Sequence, residues 1–233
     1  MIIQTNQFDF STLLTASDAK TLLKRLVELE TISANNSKSH ETSATTRSLD
    51  ESIRNISSIN TLTSHQASEY AITNWLISLF NILFSTQRVE LVRGNQEPEY
   101  FPAQNGRPAR IEFAHGFFAS ALHEISHWCV AGEQRRGLSD FGYWYAPDGR
   151  TAAQQQAFER VEIKPQALEC LFTLACRRSF EVSQDNLFAD FDTSASTFSY
   201  DVYQKVIQYM TTPQTLPRDA KTLLRALLAI NYS

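Results

Sequence analysis

The chain is poor in cysteine and has no excess of positive charge, and each shortage excludes a class of protein. Its three cysteines, Cys129, Cys170 and Cys176, are odd in number and none belongs to a CxxC pair. A disulfide framework is therefore not expected, and a reducing, cytoplasmic setting fits better. Lysine and arginine total 21 against 25 acidic residues, for a net charge of −4. That balance gives no basic footprint for nucleic acid or an anionic membrane. Long apolar runs are also missing. The most apolar stretch, Ala71 to Phe84, is broken by Thr73, Asn74, Ser78 and Asn81, and falls short of the roughly 20 residues a spanning helix needs. The N-terminus, MIIQTNQFDF, has no basic region leading into an apolar core, so no signal peptide is expected. Histidine is scarce too, with five in 233 residues and none after His127.

What is present is ordinary globular material, 42% hydrophobic and 20% charged, enough for one domain with an appendage. Residues 17–31 read as a helix capped by Ser17, with Leu22, Leu23, Leu26, Val27 and Leu29 giving an apolar face. Ser33 to Ser64 is rich in Ser, Thr and Asn without apolar periodicity, and reads as a linker or surface insertion. This sets a boundary: residues 1–65 as an N-terminal extension, residues 66–233 as the functional domain.

Within that domain, Ala67 to Phe84 and Phe117 to Val130 have helical patterns, the second stopping near Gly132. Arg88 to Val92 and Arg110 to Ala114 are strand-like, with glycines and prolines punctuating the segment between them. Phe141 to Tyr145 reads as a strand or packed loop, and Pro147 to Gly149 as a turn. Thr151 to Glu162 and Gln166 to Arg178 read as helices divided by Pro165. Two more helices follow, near Ser199 to Met210 and Arg218 to Ile230. The expected fold is α+β: a mostly helical single domain with a small β-sheet next to the helix of residues 117–130.

That helix carries His123-Glu124-Ile125-Ser126-His127, an HExxH sequence. Residues four apart share a helix face, so both imidazoles can reach one cation at about 2.1 Å. Two ligands do not make a stable site, and no later histidine exists to add a third. Cys129 lies on a different face, so a carboxylate is the natural choice, from Glu159, Glu162 or Glu169. Glu162 is preferred because it stands just before Lys164-Pro165, where a helix break can aim a side chain inward. A zincin-like arrangement of two histidines and one carboxylate leaves coordination positions open. It suits Fe(II) oxygen chemistry and also catalytic Zn(II), and spacing alone does not choose. Glu124 is the candidate catalytic carboxylate: a general base in a metalloprotease, or a proton carrier in an oxygenase.

Blander alternatives stand beside these. His123 and His127 can be hydrogen-bonding helix residues, Glu124 a surface glutamate, and His115 a turn residue. The aromatic run is more often core, and Arg135-Arg136 a solvated helix end.

Several segments together resemble one family. The run Phe113 to Cys129 (FAHGFFASALHEISHWC), Asp140 to Tyr145 (DFGYWY), Pro147 to Arg150 (PDGR), Val161 to Leu168 (VEIKPQAL), Val182-Ser183 and Asp185 to Leu187 are similar to the signature of the elongation factor P hydroxylases. The resemblance spans roughly Gln66 to Met210. It implies hydroxylation of the β-lysylated lysine of elongation factor P, the last step in modifying that factor. It also implies a metal site of His123, His127 and Glu162. Such chemistry needs a metal that can reduce O₂, which favours Fe(II), with zinc as an alternative occupant of purified protein. The HxD…H pattern of 2-oxoglutarate oxygenases is absent, so the electron source is not visible. Asp140, Tyr143, Tyr145 and Asp148 are candidates for holding a lysine-tipped substrate. The rivals are a zincin-like metalloprotease with Glu124 as base, and a module with a structural metal.

Overall fold

The computed structural model describes residues 8–36, 68–142, 149–184 and 196–232. Most of the Ser33 to Ser64 stretch, Tyr143 to Asp148 and Asp185 to Leu187 lie outside the described residues. Among the described residues, six helices and three short strands follow in the order α1 (Ala16–Asn36), α2 (Glu69–Leu83), β1 (Val89–Arg93), β2 (Glu99–Phe101), β3 (Ala109–Phe113), α3 (Phe118–Arg135), α4 (Ala152–Ala175), α5 (Phe198–Thr211) and α6 (Arg218–Tyr232). This part of the chain is thus mostly helical with one small sheet beside α3, as expected, and forms one domain around one core. None of the described helices is long and apolar enough to cross a membrane.

The C-terminal helix α6 is the hub. Ala220, Leu223, Leu224, Ala226, Leu227 and Leu228 are all fully buried, and α1, α4, α3 and α2 pack around it. Its run from Leu223 to Leu228 is buried without a break, Arg225 included, so this stretch of the helix sits inside the layers. Helix α1 docks on it through Leu22 and Leu26, and Glu30 meets the buried Arg225 at 3.1 Å. The cap of α1 is Thr15, not Ser17: Thr15 Oγ1 accepts from Asp18 N, and Asp18 Oδ2 accepts from Thr15 N and Oγ1. This reciprocal exchange satisfies more orphan groups than a serine two residues later would.

The sheet has the order β1-β3-β2. Strand β1 runs parallel to β3 with Leu91 opposite Ile111, and β2 runs antiparallel with Tyr100 opposite Ile111. In β3, Ala109, Ile111 and Phe113 are buried and Arg110 and Glu112 are not, the alternation of a sheet with one covered face. The sequence offers little sign of β2, because three residues between prolines are too few to show a period.

A tight turn, Ala114–Gly116, joins β3 to α3. Gly116 has φ +76, and a Cβ there would collide with the Arg93 guanidinium, which donates to Gly116 O at 2.8 Å. This close approach fixes where α3 starts. The regular backbone of α3 is interrupted at Gly132, with φ 70 and ψ 173, close to the expected stop.

The expected division at Pro165 is not observed: α4 is continuous from Ala152 to Ala175 with Pro165 inside. An internal proline costs about 3 kcal/mol. The same stretch fully buries Leu168, Leu171 and Phe172, each contributing roughly 1.5–3 kcal/mol. Packing against α3 and α5 therefore outweighs the lost hydrogen bond.

Candidate metal centre

Helices α3 and α4 pack closely along much of their length. On α3, Ala121, Leu122, Ile125, Trp128 and Cys129 are buried in the core. His123 and His127, one turn apart, look the other way, toward α4. On α4, Gln155, Glu162 and Gln166 are buried, with Glu169 on the same face. Glu162 therefore points at α3 because it lies on the packed face of an unbroken helix. The expected helix break plays no part, although the residue expected to face inward does so.

His123 Nε2 and His127 Nε2 are 3.1 Å apart. Glu162 Oε1 lies 3.2 Å from His127 Nε2, and its Oε2 lies 3.7 Å from His123 Nε2. One donor atom from each of the three residues falls within 4.8 Å of the others, so the trio is positioned to bind a metal ion. Two features of the described residues fit a cation there. Two imidazole nitrogens converge beside a carboxylate, donors that a single ion can span with bonds of about 2.1 Å. Glu162 Oε2 is buried without a hydrogen-bond partner, a cost that a bound cation removes.

The electrostatics follow from this crowding. Burial would lower the His123 pKa, but the hydrogen bond and charge of Glu169, with the charges of Glu162 and Glu124, overcome it and hold the ring up at about 10 in the absence of metal. Burial would raise Glu162, but the charge and hydrogen bond of His127, the charge of His123 and a hydrogen bond with Gln166 pull it down to about 2. Burial dominates at Glu124 and raises it above the ordinary carboxyl range, against the pull of the two histidines.

The other sequence candidates separate cleanly. Glu159 accepts from Gln155 through Oε1 and from Ser196 through Oε2. Glu169 approaches the far side of His123, its Oε2 2.8 Å from Nδ1. His115 is exposed in the turn before α3, with φ 49. Cys129 is in the core. Tyr143, Tyr145 and Asp148 fall outside the described residues. Asp140 does line the site, and its Oδ1 accepts from Tyr100 N at 2.9 Å.

A cavity of about 840 Å³ opens over the histidines. Six carboxylates line it, Glu97, Glu99, Glu124, Asp140, Glu162 and Glu169, and no described lysine or arginine does. Phe141, Ala157, Phe158 and Val161 supply its apolar wall. Gln166 and Ser183 also line it, with Gln166 donating to Ser183 O at 2.7 Å and accepting from Ser183 N at 3.1 Å. The contributions of Glu97 and Glu99 were not visible in the sequence, since the short strand β2, which begins at Glu99 just after Glu97 and Pro98, left no pattern.

Residues 79–232 match the family model described as elongation factor P hydroxylase. The elongation factor P lysine hydroxylase of Haemophilus influenzae is 46% identical over 156 residues, covering 66% of this chain and 86% of the relative. This chain belongs to the elongation factor P hydroxylase family. The matched span contains α3, α4 and every donor atom of the converging trio, so the family relationship and the geometry concern the same part of the molecule. The comparisons lend no support to the metalloprotease alternative.

Proposed function

We propose that this member of the elongation factor P hydroxylase family hydroxylates the β-lysylated lysine of elongation factor P and so completes that factor's modification, as a cytoplasmic non-heme iron enzyme of the monooxygenase type. The observation that carries the proposal is the convergence of His123, His127 and Glu162 at the floor of an acidic cavity. These three residues would hold the metal in a zincin-like ligand order, and Fe(II) there would supply the ability to bind and reduce O₂, which Zn(II) lacks.

The chain's own residues account for the substrate side. A lysylated lysine is a long aliphatic stem ending in ammonium groups. The stem fits the wall of Phe141, Ala157, Phe158 and Val161, and the carboxylates favour the charged tip. Glu124, raised in pKa by burial beside His123, is suited to hold and move a proton at its carboxyl oxygens. Inserting one oxygen atom of O₂ into a C–H bond leaves the other to depart as water. The balance then requires two electrons and two protons from an external reductant. The substrate is a folded protein, and no direct contact with nucleic acid or membrane is proposed. Residues 66–233 are proposed as the catalytic domain and residues 1–65 as an extension of it.

The test is intact-mass spectrometry of β-lysylated elongation factor P incubated with the iron-loaded protein, O₂ and a reductant. A gain of one oxygen, absent with zinc in place of iron and absent in Glu162→Ala, is expected. An unchanged mass with fully iron-loaded protein would overturn the proposal.

A further inference from the structure

We infer that Glu169 is a positioning residue for the metal centre: it accepts the Nδ1 proton of His123 and thereby holds that ring with Nε2 toward the ion. The inference rests on the metal reading above and adds to it a residue that supports a ligand without being one.

The geometry separates the two roles on one helix. Glu162 and Glu169 are seven residues apart on α4, two turns along the same face. Both reach α3, but to different atoms. Glu162 faces the Nε2 edges of both histidines, at 3.2 and 3.7 Å. Glu169 Oε2 sits 2.8 Å from His123 Nδ1, on the opposite edge of the ring. A carboxylate on that edge cannot reach an ion held by Nε2 without first abandoning its hydrogen bond, and the trio with converging donor atoms accordingly contains Glu162 and not Glu169.

The chemistry of an imidazole ligand needs such a partner. To bind a metal through Nε2, the ring must keep its one proton on Nδ1. An acceptor at Nδ1 selects that tautomer, stops the ring from rotating and makes Nε2 a better donor. A carboxylate does this more strongly than a neutral carbonyl. Burial strengthens the contact, since the Glu169 side chain is only 14% exposed and water competes poorly. Helix α4 thus supplies the third ligand and the support for the first from a single face.

The experiment compares wild type, Glu169→Gln, Glu169→Ala and His123→Ala, each checked for folding by circular dichroism. Metal affinity is measured by chelator competition with Co(II), and the Co(II) absorption spectrum reports ligand number. Exchange of the imidazole Nδ1 proton is followed by NMR in the zinc-loaded protein. Glu169→Ala should bind Co(II) about 10–100-fold more weakly, with an unchanged spectral type and a fast-exchanging His123 Nδ1 proton. Glu169→Gln keeps an oxygen acceptor, so it should recover most of the affinity and the slow proton. Affinity within about twofold of wild type in Glu169→Ala, together with a still protected proton, would overturn the inference. A change of coordination type in either Glu169 variant would also overturn it, by making Glu169 a ligand. If His123→Ala loses metal while Glu169→Ala does not, only this inference falls. If His123→Ala binds metal as well as wild type, the metal reading falls and takes the inference with it.

Discussion

Two groups of ionisable side chains lie along α3, one around His123 and His127 and the other around Arg136, just past its C-terminal end. In the second, every charge is answered within the protein. Arg136 meets Asp219 at 2.7 Å, with side chains 13% and 5% exposed. Its Nε donates to Trp128 O at 2.9 Å, and its guanidinium lies 3.5 Å over the Trp128 ring. Asp219 also accepts from Gln87 Nε2 at 2.9 Å. In the first group, imidazoles and carboxylates crowd together, and a buried carboxylate oxygen of Glu162 has no hydrogen-bond partner. A cluster that satisfies itself holds a fold together. One that leaves lone pairs converging on a point is arranged for something not in the chain. On the proposed reading, the middle of α3 presents metal ligands, while its C-terminal end is tied into the fold by Arg136 and Asp219.

The contrast can be broken by substitution. The largest effect should come from Glu162→Ala, which is expected to abolish both metal retention and hydroxylation while the chain stays folded, as read by elemental analysis and substrate mass. His123→Ala and His127→Ala should behave alike. If Glu162→Ala keeps its metal, the ligand set is wrong. Asp219→Ala should do the reverse. It strands Arg136 in a half-dry site and should cost about 3–5 kcal/mol of stability, measured by urea unfolding, with metal content per folded molecule unchanged.

A pH series sharpens the comparison further. In metal-free protein, His123 is raised from 6.5 to about 10. Its contribution to stability is complete below pH 6.5 and is lost as pH rises through 10. Glu162 is lowered from 4.5 to about 2, so its contribution is present above pH 4.5 and is lost as pH falls through 2. Metal-free stability should therefore decline on the alkaline side, between the ordinary and folded values of His123. Metal replaces a proton there, so metal affinity should rise over the same window. Titrations of unfolding midpoint and of affinity would show both, and a flat alkaline limb would mean that His123 is not held protonated. The smallest effect is expected from Tyr100→Phe. This removes the 2.8 Å bond from Tyr100 Oη–H to Arg136 O, costing about 1 kcal/mol in denaturant unfolding without touching the metal.

Legibility in the sequence followed locality. The pairing of His123 with His127 needs only the helical period within one element, and the helices around it announced themselves by the same period. The third donor could be narrowed to three glutamates, but spacing could not choose among them, and the helix break invoked for Glu162 does not exist. Strand β2, which carries Glu99 to the cavity, was too short to see. Glu169 was legible as a nearby carboxylate, but its place behind His123 was not.

By itself, then, the sequence determined the HExxH pair and the mostly helical class, because each depends on neighbours along the chain. The tertiary structure alone decided which glutamate faces which nitrogen, that Pro165 stays inside an unbroken helix, and that six carboxylates meet around one cavity. Those outcomes depend on how α4 rolls against α3 and where β2 lands beside β3. Buried contacts between elements distant in sequence set both, and no local period encodes them.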